Sequence, residues 1–187
     1  MPPTSSRVRP CEIADLPAVT AIYAHWVRHG TGTFEETPPS PDEMAARRQR
    51  ALDEVLPFLV ADAGGVVVGY AYALGYRGRS AYRFTVEDSV YVHPDHLRAG
   101  LGGQLLEALI DACERAGCRQ MVAVIGDRAN RSSIRLHERF GFQPAGVLTA
   151  VGFKLGRWLD TVRLQRPLGP GGTTPPVERA RPGGRAP

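Results

Sequence analysis

The chain has 187 residues, of which 43% are hydrophobic and 22% charged, enough to bury one sizeable core and too apolar for a wholly disordered polypeptide. A pI near 9.2 invites a nucleic-acid reading, but the excess charge sits in the ends, with Arg7 and Arg9 at one and Arg179, Arg181 and Arg185 against Glu178 at the other, so 11–166 are formally neutral and no basic stripe is expected. Three cysteines (Cys11, Cys113, Cys118) without a CxxC exclude a disulfide framework or zinc knuckle, and no secretory leader or membrane-length apolar run is visible, which predicts a cytoplasmic protein.

Residues 1–6 are expected to be loose. Val8–Pro10 then predicts a short strand. Asp15 caps a helix that tolerates Pro17 in its first turn and buries Leu16, Val19, Ile22, Tyr23 and Trp26. Ser40-Pro41-Asp42-Glu43 is a capping box with proline at the first helical position, opening a polar helix to about Glu54. Phe58–Asp62 and Val66–Leu74 are strands joined through Ala63-Gly64-Gly65, a hairpin signal, and Thr85–Val92 is another strand.

Leu101, Leu105, Leu106, Leu109, Ile110 and Cys113 form the buried face of a helix ending near Gly117. Gln120–Ile125 predicts a strand, Asn130–Phe140 a helix, and Val147–Lys154 with Arg157–Gln165 two closing strands sharing a turn at Gly156. This order implies a mixed α/β sheet carrying helices on its faces, within one domain at 7–166. From Pro167 to Pro187 the chain is rich in Gly and Pro, with little to bury, and is expected to be a disordered tail.

The most informative segment runs from Ser89 to Gln104. A strand ends at Pro94, a loop carries Arg98 and Ala99, and Gly100, Leu101, Gly102 and Gly103 sit where an amphipathic helix begins. Successive amides beside the positive end of a helix dipole make a nest for phosphate or pyrophosphate. The plain alternative is a loop that needs glycine only for its turn. No GxxxxGK[ST] occurs, and the spacing lacks the third glycine of a dinucleotide fingerprint.

The strand–His93-Pro94-Asp95-His96–x-Arg98-x-Gly100-x-Gly102–helix segment, with Asn130-Arg131-Ser132-Ser133 opening a later helix, resembles the Gcn5-related N-acetyltransferase (GNAT) superfamily over about 7–166. In-register segments narrow this: Ile22–His25, Gly32–Glu35, Gly69–Ala73, Arg77–Arg83, Thr85–Val92, Met121–Gly126, Leu136–Glu138 and Val151–Asp160 look like the phosphinothricin acetyltransferase family, including methionine sulfone and sulfoximine N-acetyltransferases. The resemblance implies a central mixed, mostly antiparallel sheet with helices on both faces and a splayed central strand pair that binds acetyl-CoA. It further implies pyrophosphate on the glycine turn, pantetheine against Val90, Tyr91 and Val92, contacts from Asn130 and Ser133, homodimers and no metal. Leu97 departs from the usual Gln or Arg before the turn, which is expected to weaken binding without abolishing it.

Acetyl transfer needs an amine that has lost its proton, and at pH 7 only on the order of one aliphatic amine in a thousand has. Strand alternation puts Glu87, Ser89 and Tyr91 on one face and Val86, Val90 and Val92 on the other. With the resemblance, this makes Glu87 the expected base. His137, at a position where many relatives carry Tyr, is the expected acid for the thiolate, against the reading of a partly buried helix histidine. Arg77 and Arg79 could clamp acidic oxygens of the acceptor, with Tyr82 closing the pocket and Thr85 opening the base strand. Thr33 and Phe34 lie in the loop that usually walls the acceptor. Trp158 reads equally as a rim or a core residue. His25, His29, His93 and His96 have no ligand-like spacing.

The resulting expectation is an acetyl-CoA-dependent N-acetyltransferase for a small amino acid or analogue. Its competitors are the same chemistry on a polyamine, antibiotic or protein N-terminus, an acyl-CoA-binding sensor, and a nucleic-acid module. Two arginines disfavour a polycation, retention of Glu87 and His137 disfavours a sensor, and neutral 11–166 disfavours nucleic acid.

Overall fold

Tight turns and hairpins set most of the sheet. β2 (Phe58–Ala63) and β3 (Val66–Gly75) are joined by Gly64 and Gly65, with φ of 67° and 90°. Two positive φ values in a two-residue connection match the twist of the flanking strands, which is why glycine occupies both places. β1 (Ser6–Pro10) adds to β2, and β4 (Thr85–Val92) returns antiparallel along β3. β5 (Gln120–Gly126) follows β4 in parallel, and β6 (Gln143–Lys154) with β7 (Arg157–Pro167) closes the order β1-β2-β3-β4-β5-β7-β6. β4–β5 is the one parallel pair in this sheet; the other five neighbours are antiparallel. The mixed sheet read from the sequence, and its mostly antiparallel pairing implied by the resemblance, are observed.

α1 (Leu16–His29) and α2 (Pro41–Asp53) pack on one face, where Tyr23 meets Tyr91 edge-on at 5.0 Å. The reciprocal cap at Ser40 and Glu43 forms as the spacing predicts. α3 (Leu101–Arg115) and α4 (Arg131–Arg139) lie on the other face, where Leu101, Leu105, Leu106, Leu109, Ile110 and Cys113 are buried. That apolar stripe against Val86, Met121 and Ala123 is the centre of the core. No helix among the described residues is long and apolar enough to cross a membrane.

The computed structural model describes residues 6–178; the rest of both expected tails lies outside them. The expected boundaries at 6 and 166 move outward. Ser6 already pairs with Ala63 in β1. Pro167 ends β7, and Leu168 is fully buried, its N–H donating to Arg119 O at 3.0 Å. Beyond it, Arg119 donates to the carbonyls of Gly171 and Thr174, and Arg83 holds the Glu178 carboxylate at 2.5 Å. Leu168 and the two arginines give 168–178 partners that Gly and Pro content does not signal.

Candidate active site

The β4–β5 ladder runs from Thr85↔Gln120 to Asp88↔Ala123 and stops there, although β4 continues to Val92 and β5 to Gly126. A fork opens beyond Asp88. Thr85 O accepts from Tyr76 and His93 N–H donates to Val68, so odd-numbered β4 residues turn their backbone polar groups to β3. Val90 and Val92 therefore point theirs into the fork. Val92 O is taken by the Trp26 indole at 2.9 Å, which leaves the Val90 groups and the Val92 N–H for a ligand. Tyr91, expected among the pairing backbone, turns its N–H and C=O to β3, and its ring packs against Tyr23 and Tyr70.

At the open end of the fork Gly100 caps α3 with φ 80° and ψ −3° in the left-handed region, with nothing within 4 Å of a would-be Cβ. Gly103 and Gln104 N–H both bond back to Gly100 O, so the amides of Leu101 and Gly102 precede the first helical bonds. Arg98, also at positive φ (63°), and Ala99 are exposed in the same turn. Gly102 lies under Leu136, whose Cδ2 is 3.3 Å from its would-be Cβ, and Gly103 faces Phe140. Asn130 caps α4, its side chain accepting from Ser133 N–H at 3.3 Å. The glycine turn, the open edge of β4 and the α4 cap thus lie along one fork, an arrangement that fits a nucleotide–pantetheine thioester.

Glu87 sits at the vertex on the α1–α2 face, between Leu74 of β3 and Val122 of β5 in register. Half-burial, then the neighbouring Asp88 charge, push its carboxyl above the ordinary glutamate range, and Arg163 partly offsets them. Leu74 also lines an adjoining cleft of about 650 Å³ that Arg77, Arg79 and Tyr82 line as well. Arg77 and Arg79, the expected clamp, thus line a cleft beside the register partner of Glu87, together with Asp53, Glu54 and Glu178.

Thr33 is buried, its hydroxyl 2.8 Å from Tyr23 OH, while Lys154 Nζ donates to Thr33 O at 2.8 Å. Burial lowers the Lys154 pKa, Glu35 and Glu36 opposing it. Phe34 covers the glycines Gly152 and Gly126, either of which would clash with it as alanine. Asp127 ties the same loop to the sheet, bonding Thr31 and Arg157. Trp158, 65% exposed, is not a core residue; it stacks edge-on with Phe153 on the β6–β7 hairpin.

His137, expected as an acid for the thiolate or a helix histidine, is deeply buried. It lies on the α3–α4 face, opposite Glu87, and is 3% exposed. Nδ1 meets Ser133 O at 2.8 Å and Nε2 meets Asp88 Oδ2 at 2.9 Å. With both nitrogens engaged it offers none to a thiolate. A carbonyl can only accept, so Nδ1 carries hydrogen, and the proton between Nε2 and Asp88 is shared by a buried pair. Burial alone would lower the histidine pKa; Asp88 and the Ser133 carbonyl more than reverse this, leaving it raised. Asp88 escaped the sequence reading, although a carboxylate alternating with Val86 and Val90 on a buried face already signals an inward partner. Lys154, Asp127 and Arg163 escaped too, and only Lys154, alone on a closing strand, carried a comparable local signal.

A sequence model of the acetyltransferase (GNAT) family matches residues 20–142. The chain is 57% identical over 162 residues to a phosphinothricin N-acetyltransferase of Alcaligenes faecalis, covering 87% of this chain and 82% of that one. It is 41% identical over 172 residues to an L-methionine sulfoximine/L-methionine sulfone acetyltransferase of Pseudomonas aeruginosa, covering 91% and 99%. Its structure superposes with TM-score 0.89, at 48% identity, on a phosphinothricin acetyltransferase of Sinorhizobium meliloti in complex with acetyl-CoA, covering 92% and 94%.

Proposed function

The chain belongs to the GNAT family of acetyltransferases and is an acetyl-CoA-dependent N-acetyltransferase; from that premise we propose that its acceptor is the amino group of a small amino acid or analogue of the phosphinothricin, methionine sulfone or methionine sulfoximine type. The observation that carries this reading is the adjacency of Glu87 to the arginine-lined cleft. A base within reach of the fork and cations beyond it suit a molecule carrying an amine and an acidic oxygen a few bonds apart.

In this reading the amides of the 98–103 turn hold the pyrophosphate. Val90 and Val92 receive the pantetheine arm, with Asn130 and Ser133 beside it. Glu87 takes the acceptor's proton, and its raised pKa makes it a better base than an exposed glutamate. The Val90 N–H faces the fork, where a donor stabilises charge developing on the carbonyl oxygen. Thr33 and Phe34 wall the acceptor, and Arg77, Arg79, Tyr82 and Thr85 complete its pocket. His137 is reassigned from acid to brace, holding α4 against β4 through Asp88.

The domain spans 6–168, the setting is cytoplasmic, and the enzyme works as a homodimer. The last is supported by the exposed apolar side chains of the β6–β7 hairpin, among them Val151, Phe153, Leu155 and Trp158. Thiol release from acetyl-CoA tests the acceptor assignment across phosphinothricin, methionine sulfone, methionine sulfoximine, ordinary amino acids and polyamines. Turnover is expected on at least one of the first three. Preference for a polyamine would overturn the assignment.

A further inference from the structure

β7 alternates between two environments. Val162 and Leu164 pair with Ile125 and Ala123 and enter the core, whereas Arg163 pairs with Val124 and faces the other side. Val124 stands two residues along β5 from Val122, the register partner of Glu87. Strand parity therefore puts Glu87, Val122, Val124 and Arg163 on one face. On its outer side Arg163 meets Gly146, which has no side chain to screen it. The guanidinium lies close enough to influence the Glu87 carboxyl.

The Nε of Arg163 is buried, and among the described residues it has no hydrogen-bond partner. Buried donors are almost always satisfied, and a guanidinium offers a fixed fork suited to a planar or tetrahedral oxyanion. Arg83, Arg119, Arg157 and Arg166 each have an acceptor for their side-chain donors. The unmet donor lies on an arginine that strand register carries to the face of Glu87.

We propose that Arg163 binds the α-carboxylate of the acceptor, across the fork from the cleft of Arg77 and Arg79, and so determines that the enzyme acetylates amino acids rather than simple amines. This rests on the amino-acid acceptor assigned above and deepens it. Anchors on opposite sides of Glu87 leave the α-amine between them, with the side-chain oxygens of the acceptor directed to Arg77 and Arg79.

The test compares methionine sulfone with its decarboxylated amine on wild type, Arg163→Gln and Arg163→Lys. In wild type kcat/KM favours the amino acid. Arg163→Gln should reduce that preference ten- to a hundredfold, mainly through a raised KM for the amino acid, and Arg163→Lys should recover part of it. Equilibrium titration of methionine sulfone into the coenzyme A-bound proteins gives an activity-independent readout: binding should weaken by a similar factor in Arg163→Gln, while coenzyme A affinity stays put. An unchanged preference and unchanged sulfone affinity would overturn the proposal. So would a variant whose sole change is a shift from dimer to monomer, because the guanidinium would then belong to a subunit contact. Wild type that neither binds nor acetylates any amino acid would overturn the acceptor assignment and this inference together, whereas loss of the Arg163 effect alone leaves the assignment standing.

Discussion

Adjacent side chains of a strand leave on opposite faces, so Glu87 and Asp88 have different fates. Glu87 lies half-buried on the α1–α2 face, its pKa raised by burial and by the Asp88 charge. Its basic form fills only as pH rises through that raised value, so the acid limb of kcat should lie above the range of an exposed glutamate. Glu87→Gln should lower kcat by about 10²–10⁴ and erase that limb; a pH profile at saturating acceptor measures both. Asp88 points inward to His137. Removing one partner of a buried pair costs about 3–5 kcal/mol, so Asp88→Asn should lose stability on that scale in urea unfolding. Because His137 has a raised pKa in the folded chain, its contribution is complete below the unfolded value of about 6.5 and is lost as pH rises through the folded one. The stability of His137→Phe should lack that slope.

At the scale of elements, the phosphate turn and the fork depend on backbone more than on side chains. Gly100 takes a conformation that costs an L residue about 1–2 kcal/mol, and nothing of the protein crowds its would-be Cβ. Gly100→Ala should therefore destabilise by roughly that amount and, by filling the nest, weaken coenzyme A at least tenfold in calorimetric titration. The exposed Leu97 adds no charge there, so in the proposed reading the amides carry the grip. β6 begins at Gln143 rather than near Val147. An edge strand tolerates Pro144 and the register shift seen between Pro144 and Gly146, so β6 extends further back than expected.

For the whole molecule, α1 and α2 cover one part of the Glu87 face, and the β6–β7 hairpin exposes Val147, Leu148, Val151, Phe153, Leu155 and Trp158. Apolar surface gathered on an edge hairpin favours association with a second copy. Sedimentation should give a dimer, and Phe153→Glu combined with Trp158→Glu a monomer. What the sequence by itself determined is local: the hairpin glycines, the Ser40 cap, the α3 stripe, the face of Glu87 and the glycine turn are all governed by spacings of a few residues. Only the tertiary structure decided which distant groups meet. His137 finds Asp88 49 positions away, Lys154 finds Thr33 121 positions away, and Arg163 reaches the face of Glu87 through strand order. Periodicity states which side a residue faces, but burial and pairing depend on what the folded chain brings to that side.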